Sequence, residues 1–188
     1  MNYADIKRYD VANGPGVRIS LFVSGCTHQC KNCFNEEAWD FQYGAPFTQA
    51  EEDRIMEYLK PAHIAGLTLL GGEPFEYCNQ QGILPLLRRV RETYPEKNIW
   101  AFSGYLFDEE IVGDMCQKWP ETKEILSYID VLVDGRFVEE LKNVNLRFKG
   151  SANQRTIMVQ ESLKALEEGK ELVLWEPEEY VKIDVKSN

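Results

Sequence analysis

The chain has 188 residues, 44% of them apolar and 12% aromatic, which suits one folded domain over 1–188 and excludes a disordered chain. Its formal net charge of −10 opposes phosphate backbones, and Arg88, Arg89 and Arg91 read as the solvated face of a helix, so no nucleic-acid partner is expected. The first ten residues lack the apolar core of a secretory signal, and no apolar run approaches the roughly 20 residues that span a bilayer; a cytoplasmic protein without a membrane partner is the expectation.

In chain order, NGPG at 13–16 is turn chemistry, and VRISLFVS at 17–24, rich in β-branched and aromatic residues, predicts a strand. A polar, cysteine-rich loop follows over 25–35. Thr48 and Glu51 form a capping-box pattern, and Ile55, Met56 and Leu59 give an apolar stripe, so a helix is expected over 49–60, stopped by Pro61. GLTLL at 66–70 reads as a short buried strand running into Gly71-Gly72-Glu73-Pro74. A helix is predicted over 84–94 with Pro85 in its first turn, and a strand over 98–102, NIWAF. Asp108 is placed as the cap of a helix bearing Ile111, Val112, Met115 and Trp119, and YIDVLV at 128–133 as a fourth strand. The tail from 158 to 188 is an extension with a helical piece at 162–168, a short apolar strand at 172–175 and a charged end.

Strands alternating with helices imply crossovers and a mainly parallel sheet, in which chemistry sits beyond the carboxyl ends of the strands. The cysteine loop, GGEP, Ser103-Gly104 and Asp134-Gly135-Arg136 each fall at such an end, which argues for one composite site. Three of the five cysteines, Cys26, Cys30 and Cys33, lie within eight residues. Three thiolates on a short loop suit a 4Fe–4S cluster with one iron left open, and such an iron can be chelated by the amino and carboxylate groups of S-adenosylmethionine. One electron passed to the sulfonium then breaks a C–S bond homolytically and yields a 5′-deoxyadenosyl radical. The competing reading is a structural zinc site with His28 as the fourth ligand, although zinc sites usually space two ligand pairs well apart. Otherwise His28 and His63 are expected to be surface or capping residues. Cys116 reads as a buried structural thiol and Cys78 as a bystander. Gly71, Gly72 and Glu73 offer a backbone that a ligand can approach closely. Ser103, Asp134 and Arg136 are candidate polar contacts, Asp134 for ribose hydroxyls and Arg136 for a carboxylate, against the plainer reading of turn formers.

NGPGVR (13–18), FVSGCTHQCKNCFN (22–35), GGEP (71–74), NIWAFSGY (98–105), DVLVDGRFVEEL (130–141) and FKGSANQRTI (148–157) together resemble the anaerobic ribonucleoside-triphosphate reductase activating proteins, a branch of the radical S-adenosylmethionine enzymes. The resemblance covers residues 1–157. It implies cluster ligation by Cys26, Cys30 and Cys33, cosubstrate contacts from Asn32, Cys33, Phe34 and Gly72, and an Asp134-x-Arg136 pair standing where related activases carry Asp-x-Lys. It also implies a partner, the large glycyl-radical subunit of the reductase, and an electron donor such as flavodoxin or a thioredoxin system. The chain departs from the wider superfamily in carrying Asn32 before the third cysteine and the aromatic Phe34 after it. At 188 residues it is also short for a closed eight-fold barrel of ~250 residues, so an open, partial (β/α) barrel of the radical S-adenosylmethionine type is expected. Two alternatives are an activase for another glycyl-radical enzyme, such as pyruvate formate-lyase, and a non-catalytic metal-binding adaptor.

Overall fold

The computed structural model describes residues 1–176, so the charged end of the tail lies outside the described residues. Seven strands form a single mixed sheet: β1 (Asn2–Asp10), β2 (Val17–Val23), β3 (Ala45–Pro46), β4 (Ile64–Gly71), β5 (Asn98–Phe102), β6 (Val131–Asp134) and β7 (Arg155–Met158), in the order β3-β1-β2-β4-β5-β6-β7. The expected parallel character holds for the four central strands, β2, β4, β5 and β6. The flanking strands β1, β3 and β7 run antiparallel to their neighbours. Both β1 and β7 escape sequence reading. NYADIKRYD is a largely exposed segment with no apolar run, covered on its outer side only by the two-residue β3, and RTIM has only four residues.

Helices α1 (Gln49–Leu59), α2 (Tyr77–Thr93), α4 (Pro120–Tyr128) and α5 (Val159–Glu167) cover one face of the sheet, with a nine-residue π-helix, Phe107–Met115, running into the single turn α3 (Cys116–Lys118). The predicted capping box of α1 is formed, with Thr48 and Glu51 bonding reciprocally. α2 begins seven residues before the predicted start and holds Pro85 in its interior. Its first turn is buried by hydrogen bonds rather than by apolar contacts, which hides it from a hydrophobic pattern: Asn79 Nδ2 donates to the Ser24 carbonyl at 3.0 Å and Gln80 Nε2 to the Phe75 carbonyl at 2.8 Å. Tyr128 closes α4 instead of opening a strand, because Ile125, Leu126 and Ile129 are the side chains this segment buries. Asp108 lies inside the π-helix and binds Arg155; the capping position belongs to Leu106. The predicted helical piece of the tail is α5, and its apolar strand survives as one bridge between Ile157 and Leu174.

Alternation along the strands divides the side chains between two faces. Ile19, Leu21 and Val23 of β2, Leu67 and Leu69 of β4, Ile99 and Ala101 of β5 and Leu132 of β6 join the helix-side core. Trp100, Val131 and Val133 point the other way and are capped by Phe148 and Trp175. Arg18, fully buried on that second face, lies over the Trp100 ring and donates to Thr68 Oγ1 at 2.7 Å, to Asn98 Oδ1 at 2.7 Å and to the Leu67 carbonyl at 2.8 Å.

Candidate active site

The four parallel strands end along one edge, and the loops that follow them enclose a cavity of about 420 Å³. The loop after β2 is held at both ends. At its root, Gly25 N–H donates to the Ala38 carbonyl at 2.8 Å and Cys26 N–H to the Trp39 carbonyl at 3.2 Å; at its tip, Cys33 N–H closes a turn onto the Cys30 carbonyl at 3.1 Å. Gln29 and Asn32 have φ of 49° and 55°, the left-handed region that non-glycine residues seldom occupy, so this loop stores conformational strain between its cysteines.

All three clustered cysteines line the cavity, together with Asn32, Phe34, Gly71, Gly72, Glu73 and Ser103. Phe34 is 96% exposed at the rim. Gly72 has no room for a side chain: a Cβ there would stand 2.5 Å from the Gly25 carbonyl oxygen and 2.9 Å from that of Ala38. The glycine is therefore needed first by the packing of GGEP under the cysteine loop.

Two of the predicted contacts fall elsewhere. Asp134 has the same parity as Leu132, so its fully buried carboxylate points to the helix side, where it accepts from Arg155 and, at 2.8 Å, from the Phe107 N–H. It is not among the residues that line the cavity. Arg136 is exposed and likewise outside the cavity lining; its carbonyl accepts from Asn153 Nδ2 at 2.9 Å. Gly135, between them, does line the cavity, and Gln154 Nε2 holds its carbonyl at 2.9 Å. Glu73 and Ser103 reach the wall with their polar atoms already engaged: Ser103 Oγ donates to Glu73 Oε1 at 2.9 Å and accepts from the Tyr105 N–H at 3.1 Å.

His28, expected as a zinc ligand or as a surface or capping residue, is neither on the surface nor capping a helix. Its side chain is 3% exposed, lines the cavity and bonds to Glu73 at 3.0 Å, not to a shared metal position. Among the described residues, no three His, Cys, Asp or Glu side chains are already gathered about a single metal position. A four-iron cluster is a larger body than one ion and takes thiolate ligands, which the three cysteines lining this cavity can supply. Phe137, Lys142 and Gln154 also line the cavity, brought in by the irregular segment between β6 and β7, which has no periodicity to read. Cys116 packs partly buried against the helix-side core, and Cys78 is exposed on α2.

Burial pushes the Cys26 thiol up to about 12, opposed by hydrogen bonds from the backbone N–H groups of His28 and Gln29 and reinforced by the nearby Glu73 and Glu76 carboxylates. Burial raises Cys30 as well, opposed by the Phe137 N–H. Such buried thiols become thiolates when a cationic iron centre replaces the proton, and the N–H groups aimed at them then stabilise the charged sulfur. The donor set and its hydrogen bonds therefore fit an iron–sulfur cluster.

No helix among the described residues is long and apolar enough to cross a membrane. Residues 12–157 match the family described as "4Fe-4S single cluster domain". Over 156 residues, 82% of the chain, the sequence is 44% identical to the anaerobic ribonucleoside-triphosphate reductase-activating protein of Vibrio cholerae, covering 96% of that protein. It is 42% identical to the protein of the same name from Escherichia coli K12, over 82% of this chain and 96% of the relative. It is 39% identical over 155 residues to that of Enterobacteria phage T4, covering 82% and 92%. With the cysteine loop and the GGEP turn meeting in one cavity inside the matched region, the chain belongs to the family of anaerobic ribonucleoside-triphosphate reductase-activating proteins, built on a 4Fe-4S single cluster domain.

Proposed function

We propose that this chain is the activase of an anaerobic ribonucleoside-triphosphate reductase, that it reductively cleaves S-adenosylmethionine, and that the product of that cleavage generates a glycyl radical on the reductase. The observation that carries the reading is the convergence of Cys26, Cys30 and Cys33 with Gly71 and Gly72 on one cavity at the carboxyl edge of the parallel strands. When bound, a 4Fe–4S cluster supplies the electron for this chemistry. Cys26, Cys30 and Cys33 would hold it, with one iron left open to the cosubstrate. Gly71 and Gly72 let the GGEP backbone pack directly against the end of β2 and the root of the cysteine loop and so form part of the cavity wall. Phe34, beside Cys33 and exposed at the rim, would be available to stack on the adenine. Lys142 and Asn32, which line the cavity, and Arg136, whose charge acts on Cys30, would be available to the methionine carboxylate. Leu70, Phe102 and Phe137 make the remaining wall apolar and exclude water.

One domain, in which the sheet is an open, partial barrel, serves this chemistry, with α5 as part of its cover and the cytoplasm as its site of action. The unclosed side admits a glycine-bearing loop of the large reductase subunit, and an external donor such as flavodoxin or a thioredoxin system provides the electron. The test is anaerobic reconstitution with iron and sulfide, addition of S-adenosylmethionine and a strong reductant, and assay for 5′-deoxyadenosine. With the large reductase subunit present, a doublet electron paramagnetic resonance signal is expected on that subunit. Reconstituted protein that forms no 5′-deoxyadenosine would overturn the proposal.

A further inference from the structure

We propose that His28 is a positioning residue for the cysteine loop: its ring, bonded to Glu73 and packed on Tyr105, holds the Cys26–Cys30 span so that its backbone N–H groups stay aimed at the Cys26 sulfur. The inference rests on the assignment of Cys26, Cys30 and Cys33 as cluster ligands.

Glu73 is 1% exposed, and each of its carboxylate oxygens accepts two hydrogen bonds. Oε1 accepts from the Phe75 N–H at 2.8 Å and Ser103 Oγ at 2.9 Å; Oε2 accepts from the Gly104 N–H at 2.7 Å and His28 Nε2 at 3.0 Å. Four donors fill the lone-pair sites of an ionised carboxylate. Glu73 is thus an internal junction and not a free ligand group. Because it only accepts, the proton of a neutral His28 belongs on Nε2, and the junction fixes the tautomer.

Three of the four donors come from the GGEP turn and the end of β5. Of the four donors, His28 alone comes from the cysteine loop; the Glu73 N–H ties the root of that loop through the Gly25 carbonyl at 2.8 Å, and the His28 ring ties the span beyond Cys26 to the carboxylate. The ring packs edge-on against Tyr105 with centroids 4.3 Å apart. Residue 104 has to be glycine beside it, since a Cβ there would lie 2.4 Å from the imidazole. Thr27 is tied in parallel, its N–H donating to Glu76 at 2.9 Å. The 27–28 peptide is therefore clamped on both sides, next to the His28 and Gln29 N–H groups directed at Cys26. Hydrogen bonds to cluster sulfurs are among the features that set an iron–sulfur potential, and loosening them lowers it.

Two variants of the full chain separate the hydrogen bond from the bulk of the ring. His28→Phe keeps an aromatic ring against Tyr105 but removes the donor; His28→Gln keeps a donor without the ring. Iron and sulfide content, the rate of iron loss to a chelator, and the cluster potential by redox titration followed with electron paramagnetic resonance are measured on reconstituted protein, alongside thermal melting. The expected result is a more negative potential and at least tenfold faster iron loss in His28→Phe, with His28→Gln close to wild type. Wild-type values in His28→Phe would overturn the inference, and so would equal shifts in both variants or failure of both to fold, since each would reduce His28 to a packing residue. Failure of the wild-type chain itself to take up four irons would count against the functional proposal, a separate result from any difference between the variants.

Discussion

Replacing Asp134 by alanine distinguishes a ligand contact from a structural one. The carboxylate is fully buried and accepts three hydrogen bonds, two from Arg155 and one from the Phe107 N–H, with no partner in the cavity. Removing one partner of a buried ion pair costs roughly 3–5 kcal/mol. Orphaning a buried N–H costs about 1–3 kcal/mol within that total. Arg155 retains Asp108 at 2.8 Å and is 31% exposed, so water and a second carboxylate recover part of the loss. The net cost is about 3 kcal/mol, the low end of the range for a broken buried pair. For a chain of this length that lowers the melting temperature by roughly 6–12 °C. The assay is thermal and urea unfolding of Asp134→Ala, with calorimetric titration of S-adenosylmethionine into the folded, reconstituted variant. Affinity per folded molecule is expected to stay within about twofold, a difference of only ~0.4 kcal/mol. Arg155→Ala should destabilise comparably, and the double variant by less than the sum of the two. A variant that keeps its melting temperature and binds S-adenosylmethionine tenfold more weakly would refute the reasoning and restore the ribose contact.

Alanine at Cys26, Cys30 or Cys33 should each abolish the brown chromophore and S-adenosylmethionine cleavage, while Cys78→Ala and Cys116→Ala keep four irons; loss of iron in Cys78→Ala would break the three-ligand assignment. Gly72→Ala should strain the cysteine loop through the Gly25 carbonyl, costing about 1–3 kcal/mol even in cluster-free protein, which urea unfolding measures. Phe34→Ala should leave the melting temperature unchanged, because the ring is 96% exposed, yet weaken S-adenosylmethionine binding by roughly 1–3 kcal/mol in calorimetry. The hydrogen bond from Arg155 holds the Asp108 carboxyl below 3.8, its ordinary value. A depressed carboxyl stabilises the fold above its unfolded pKa and loses that contribution as pH falls through the folded value. Asp108→Asn should therefore flatten the loss of stability below about pH 4 and leave the slope between pH 6 and 8 unaltered, as urea unfolding across that range would report.

Several features of this protein are legible from local chemistry alone. The spacing of Cys26, Cys30 and Cys33, the capping box at Thr48, the apolar runs of β2, β4 and β5 and the glycine turn at 71–72 each depend on residues close in the chain, and each occurs in the structure where the sequence puts it. Their agreement on one edge of the sheet follows from strand–helix alternation, which is itself a local pattern. What only the tertiary structure decided concerns partners distant in sequence. Asn79 and Gln80 start α2 because carbonyls at positions 24 and 75 await them, a polar reason invisible to a hydrophobic stripe. β1 and β7 exist because β2 and β6 offer them open edges. Asp134 could have been placed correctly from its parity with Leu132, but only Arg155 and the Phe107 N–H explain why a carboxylate is tolerated on the helix side. His28 carries no distinguishing mark beyond its place between two cysteines; its role depends on Glu73, 45 residues on, and on a glycine at 104 that leaves space for its ring. Secondary structure and ligand spacing are set by short-range sterics and periodicity, whereas the direction of a buried polar side chain is set by whichever donor or acceptor the fold brings within about 3 Å of it.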